Sequence, residues 1–76
     1  YMDGFTCSND EIIARGYANG NRLAIVATTL AEEGASGKID VPGYRFVESS
    51  SIGDVFVNAG RLRLGQHGIT VLIYEK

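Results

Sequence analysis

Glu11-Ile12-Ile13-Ala14-Arg15-Gly16-Tyr17-Ala18-Asn19-Gly20-Asn21-Arg22-Leu23-Ala24-Ile25-Val26-Ala27-Thr28-Thr29-Leu30 carries the clearest structural signal in this 76-residue chain. Asn19-Gly20 suits the positive φ angles of a type I′ turn, whose twist matches the antiparallel strands on either side. A two-residue loop there sets Tyr17 opposite Arg22, Arg15 opposite Ala24 and Ile13 opposite Val26. On the other face it sets Gly16 opposite Leu23, Ala14 opposite Ile25 and Ile12 opposite Ala27. This second set is uniformly apolar or small and predicts the core face. Residues 23–29 are apolar on both sides, the pattern of a central strand.

Outward from the hairpin, the same alternation continues between turn signals. Residues 31–37 read as a polar connection, because two glycines oppose a helix starting at Ala31-Glu32-Glu33. Ile39 and Val41 share a face in a strand over residues 38–41, which Pro42-Gly43 ends. Residues 44–48 form the next strand, with Tyr44, Phe46 and Glu48 on one face and Arg45 and Val47 on the other. Ser49-Ser50-Ser51 reads as a loop. In residues 54–58, Val55 and Val57 point one way and Phe56 the other. Leu62 and Leu64 face inward while Arg61 and Arg63 face outward. A turn over residues 65–68 leads to a last strand, residues 69–74, with Ile69, Val71 and Ile73 on one face and Thr70, Leu72 and Tyr74 on the other. The expectation is an all-β fold: a small antiparallel two-sheet β-sandwich, immunoglobulin-like, of about seven short strands. Residues 1–10 are the least patterned and are expected to be a linker or disordered tail, leaving residues 11–76 as one domain.

Composition narrows the chemistry. A chain of this length buries roughly 60% of the surface its unfolded form exposes, so its core is thin. A formal charge of −2 and pI near 5.2 give no electrostatic footprint for nucleic acid or an anionic membrane. No apolar run approaches the roughly 20 residues of a membrane-spanning helix. A chain opening on Tyr1 rather than Met is expected to be a piece of something longer. Cys7 is the one cysteine and His67 the one histidine, so an internal disulfide and a His/Cys metal cluster are excluded by count.

Catalytic constellations are missing as well. Cys7 and His67 both fall in turn-like regions, and no Gly-x-Ser-x-Gly elbow surrounds the serines. Glu32, Glu33, Asp40, Glu48 and Asp54 are candidate carboxylates. A glycosidase needs two such groups about 5 to 10 Å apart across a cleft, and these positions read instead as a solvated acidic surface. Asp3, Asn9 and Asp10 offer oxygen ligands without EF-hand spacing. No catalytic residue, metal site or cofactor is expected. Aromatic residues are the remaining binding candidates: Tyr17 beside Arg22 as a cross-strand pair with cation–π character, and Tyr44.

Three segments taken together resemble a known family: Gly20-Asn21-Arg22-Leu23-Ala24-Ile25-Val26, Val41-Pro42-Gly43-Tyr44-Arg45-Phe46-Val47-Glu48 and Gly68-Ile69-Thr70-Val71-Leu72-Ile73-Tyr74-Glu75-Lys76. Their order is similar to the small C-terminal β-sandwich domain of glycoside hydrolase-like proteins from gut Bacteroidetes, which follows a (β/α)-barrel. The resemblance spans residues 11–76. It departs at Thr28-Thr29-Leu30, where many related tails carry Trp-Asn or a similar pair. It implies a non-catalytic accessory domain of a periplasmic or extracellular carbohydrate-active enzyme, packed against the catalytic domain of the same chain. That reading predicts an apolar face left uncovered in the isolated domain. A carbohydrate-binding module, with a glycan as partner, predicts an exposed aromatic platform at Tyr17 or Tyr44. A free-standing immunoglobulin-like interaction domain predicts no exposed apolar face.

Overall fold

Eight strands follow one another with side chains alternating between a shared interior and solvent. In the computed structural model, which describes residues 5–76, they are β1 (Thr6–Cys7), β2 (Ile12–Asn19), β3 (Arg22–Thr29), β4 (Ala35–Asp40), β5 (Arg45–Ile52), β6 (Val55–Asn58), β7 (Arg61–Leu64) and β8 (Ile69–Glu75). All pairings are antiparallel. They build two four-stranded sheets, β2-β3-β8-β5 and β1-β4-β7-β6, packed as a sandwich. The architecture is the all-β sandwich that the alternation predicts, with eight strands instead of seven.

The interior is made by one face of each sheet. From the first sheet come Leu23, Ile25 and Ala27 of β3 with Leu72 and Tyr74 of β8. From the second come Ala35, Ile39, Leu62 and Leu64. Leu23, Ile25, Leu64 and Leu72 are fully buried, and each contributes about 1.5–3 kcal/mol by leaving water. Two threonines join this interior with their hydroxyls satisfied. Thr70 Oγ1 donates to the Ser50 carbonyl at 3.2 Å and lies 2.9 Å from Ser51 Oγ, while Thr29 Oγ1 donates to the Glu11 carbonyl at 2.7 Å.

The hairpin corrects the expected register. Asn19 pairs with Arg22 and Tyr17 with Ala24, so the loop is Gly20-Asn21 and not Asn19-Gly20. Gly20 has φ 65° and Asn21 does not take a positive φ, the pattern of a type II′ turn with glycine at its first central position. The slip is two residues, so parity is kept and each side chain stays on its expected face. Tyr17 and Arg22 are nevertheless no longer directly opposed.

Three further segments differ from the reading of the sequence. β4 starts at Ala35, inside the expected connection. The turn before it closes at Gly34, whose N–H donates to the Ala31 carbonyl at 3.0 Å, and Ala35 then pairs with Leu64. Ser49-Ser50-Ser51 lies within β5 and pairs with Leu72, Val71 and Thr70. Ladder hydrogen bonds to β8 hold this stretch extended despite its loop-like composition. A bulge between Phe46 and Glu48 reverses the faces beyond it. Phe46 opposes buried Tyr74, whereas Glu48 opposes Ile73 on the outer face. Finally, the expected tail contains β1. Thr6 and Cys7 pair with Asp40 and Ile39, and Phe5 and Cys7 pack against the core. Ser8 N–H donates to the Lys38 carbonyl at 2.9 Å, so residues 5–10 belong to the sandwich. Residues 1–4 lie outside the described residues.

Gly34 and Gly20 separate backbone conformation from crowding. Both have positive φ, 80° and 65°, but a Cβ at Gly34 would meet the Leu64 carbonyl oxygen, whereas at Gly20 nothing lies within 4 Å. Gly20→Ala should cost about 1–2 kcal/mol, the conformational term alone. Gly34→Ala should cost more, and urea denaturation of the two variants measures the difference. Equal losses would remove the close approach of Gly34 to β7 from this account.

Candidate functional site

The binding candidates from the sequence do not form one site. Tyr17 is 52% exposed on the outer face of the first sheet. It shares a shallow hollow of about 200 Å³ with Asn19, Arg22, Leu23, Ala24 and Ile73. Arg22 is engaged elsewhere: its Nε lies 3.4 Å from Glu75, which also holds Arg45 at 3.4 Å. These pairs are solvent-exposed on the arginine side, and each adds at most about 1 kcal/mol. Tyr44 packs against the core and has the Lys76 ammonium 5.3 Å from its ring centroid. The expected Tyr17–Arg22 cation–π pair is thus replaced by an Arg22–Glu75–Arg45 bridge and a Tyr44–Lys76 contact.

The other candidates remain separate. Cys7 lies on edge strand β1, where its thiol donates to the Asn9 carbonyl at 3.5 Å, while His67 sits in the β7–β8 turn with φ 65°. Asn9 is occupied locally, accepting from the Glu11 N–H and donating to the Ser36 carbonyl, both at 2.9 Å. Asp3 lies outside the described residues. No group of three or more His, Cys, Asp or Glu suited to a metal ion occurs among the described residues.

Two surfaces do stand out, one on each sheet. On the first sheet, register places three rows across all four strands: Tyr17-Ala24-Ile73-Glu48, Arg15-Val26-Val71-Ser50 and Ile13-Thr28-Ile69-Ile52. Only Arg15, Thr28, Glu48 and Ser50 are polar. Thr28 Oγ1 is satisfied internally, donating to the Gly68 carbonyl at 2.9 Å. Ile13, Ile69 and Ile52 are 43%, 42% and 75% exposed. An apolar patch running across a whole sheet is unlike the scattered hydrophobic residues of an ordinary surface. Next to it, the row Asn19-Arg22-Glu75-Arg45 is polar and closes the patch on one side.

The second sheet presents the opposite chemistry on its outer face. One row reads Ser36-Arg63-Phe56 and the next Lys38-Arg61-Asn58. Ser8, Ser36, Lys38, Phe56, Arg61 and Arg63 line an open hollow of about 560 Å³, with Phe56 58% exposed. The alternation in residues 55–58 and 61–64 places these side chains outward. What it does not contain is the sheet order that brings β4, β6 and β7 side by side, so the cluster was missed.

Between the sheets, Tyr74 is a buried phenol whose ring meets Phe46 edge-on, 5.6 Å between centroids at 73°. Its hydroxyl has no hydrogen-bond partner among the described residues. Burial raises its pKa above the ordinary 10.0, and the negative charge of Asp40 raises it further.

No protein-family model matches this sequence, and no curated protein or solved structure matches it either.

Tyr74→Phe removes a buried hydroxyl with no partner among the described residues, so it should leave stability unchanged or raise it by up to about 1 kcal/mol. The pH dependence has a definite sign. A phenol with a raised folded pKa contributes stability that is intact below pH 10.0 and is lost as pH rises through the folded value. Urea midpoints measured from neutral pH upward should fall more steeply in the parent protein than in Tyr74→Phe. Parallel curves would show that Tyr74 ionises as freely folded as unfolded.

Proposed function

We propose that this chain is a non-catalytic accessory domain that docks through the outer face of β2-β3-β8-β5 on the catalytic barrel of a glycoside hydrolase-like chain. The uncovered apolar rows on that face carry the reading. Val26 and Val71 stand at the centre of the patch, flanked in their own row by Arg15 and Ser50 and bordered in the neighbouring rows by Ile13, Tyr17, Ile52, Ile69 and Ile73, an arrangement that suits an interdomain contact with an apolar centre. The barrel as neighbour, and a periplasmic or extracellular location, rest on the family resemblance of residues 11–76. A free-standing immunoglobulin-like domain leaves the apolar rows without a purpose. Enzymatic work inside the domain finds no support in its chemistry, since the candidate carboxylates Glu32, Glu33, Asp40, Glu48 and Asp54 lie on exposed positions and Cys7 and His67 lie on separate segments, strand β1 and the β7–β8 turn.

Ile69→Lys tests the docking face. In the isolated domain this half-exposed position should tolerate lysine with a stability change within about 0.5 kcal/mol. In the longer chain, the same substitution should lower the melting temperature and free the domain to limited proteolysis. Equal behaviour in both settings contradicts the proposal. The reading frame upstream of Tyr1 provides a second check: a barrel with paired acidic residues agrees, and a start codon a few residues away does not.

A further inference from the structure

The hollow on the second sheet has a composition that internal stability does not explain. Lys38 and Arg61 stand directly opposite each other across β4 and β7, where like charges destabilise a sheet. Neither forms an ion pair among the described residues. Arg63, two residues along β7 on the same face, reaches only Asp54, at 3.9 Å and with both side chains exposed. Three of the chain's seven lysines and arginines therefore converge on one hollow of a net-negative molecule. Beside them Phe56, opposite Arg63 on β6, is an aromatic side chain more than half exposed to solvent.

We propose that this hollow binds an acidic sugar residue, a pyranose ring stacked on Phe56 with its carboxylate held between Lys38 and Arg61. Guanidinium and ammonium groups give charge-assisted hydrogen bonds to a carboxylate, and the planar arginine fork matches its two oxygens. Arg63 and the hydroxyls of Ser8 and Ser36 face the ring's own hydroxyls. The hollow is open and shallow, which suits a polar ligand that stays largely hydrated; an apolar aromatic acid needs enclosure. Carboxylates bracket the cations: Asp40 lies two residues beyond Lys38 on the same face of β4, and Asp54 lies beside Arg63. They limit close ionic contact to a single carboxylate of an oligosaccharide and oppose a long polyanion that must run on across the sheet. The face is opposite to the docking face, so this inference stands or falls separately from the accessory-domain reading.

Titration of the ¹⁵N-labelled chain with trigalacturonate, followed by NMR, tests the proposal. Amides of Lys38, Phe56, Arg61 and Arg63 should shift at millimolar or lower ligand, and added salt should weaken the binding. Neutral galactotriose should bind at least about tenfold more weakly. Phe56→Ala and Arg61→Gln should each weaken trigalacturonate binding by a similar factor, with Phe56→Tyr retaining it. Both positions are solvent-exposed, and the spectrum of each variant reports whether the fold is intact. Absence of shifts at millimolar trigalacturonate overturns the proposal, as do shifts confined to another surface. Equal binding of galactotriose removes the role of the cations. Equal binding of sodium sulfate alone marks the cluster as an adventitious ion site. Tighter binding of hexauridylate than of trigalacturonate replaces the acidic sugar with single-stranded nucleic acid.

Discussion

The antiparallel pairing of β3 with β8 joins the two halves of the chain, and the other elements are organised around it. It runs from Arg22 opposite Glu75 to Thr28 opposite Ile69 and occupies the middle of the first sheet. A central strand is buried by neighbours on both edges, so its side chains determine what each face of the sheet can do. Leu23, Ile25, Ala27, Thr70, Leu72 and Tyr74 point into the sandwich and form half of its core. Ala24, Val26, Val71 and Ile73 point the other way, and nothing among the described residues covers them fully. The second sheet covers the inner face. The apolar residues left on the outer face are the physical basis of the docking proposal.

The two outer faces carry contrasting chemistry, and their separation has a consequence. The first sheet ends in a polar row where Glu75 bridges Arg22 and Arg45, which confines the apolar patch to the rows beyond it. The second sheet carries Lys38, Arg61, Arg63 and Phe56 on the far side of the sandwich. A neighbour seated on the first face therefore leaves the cationic hollow open to solvent. One small domain has room for a structural contact and a ligand contact because the sandwich holds them apart, with the thin core as the shared support.

Strand parity was legible in the sequence because side-chain alternation in a strand is local. It assigned Leu62 and Leu64 inward, Arg61 and Arg63 outward, and the faces of β8 correctly. Register was less legible. Asn19-Gly20 and Gly20-Asn21 are both credible two-residue loops, and choosing between them depends on the pairing of β3 with β8 as much as on turn chemistry. The bulge at Val47 leaves no mark in composition. Ser49-Ser50-Ser51 has the composition of a loop and is extended because β8 offers it a partner. Thr6 and Cys7 form a strand for the same reason, beside β4. The Phe56 cluster was hidden for a related cause. Each of its residues was readable as outward-facing, but their proximity follows from a sheet order that joins strands distant in sequence.

Thiol labelling of the docking face tests the central claim most directly. Ile13→Cys places a reactive group in the apolar patch and Phe56→Cys places one on the opposite sheet, each in a Cys7→Ser background. In the isolated domain both thiols should react readily. In a longer chain carrying the neighbouring domain that the docking proposal calls for, the thiol at position 13 should become protected while the one at position 56 stays reactive. Equal reactivity of position 13 in the two settings would contradict the account.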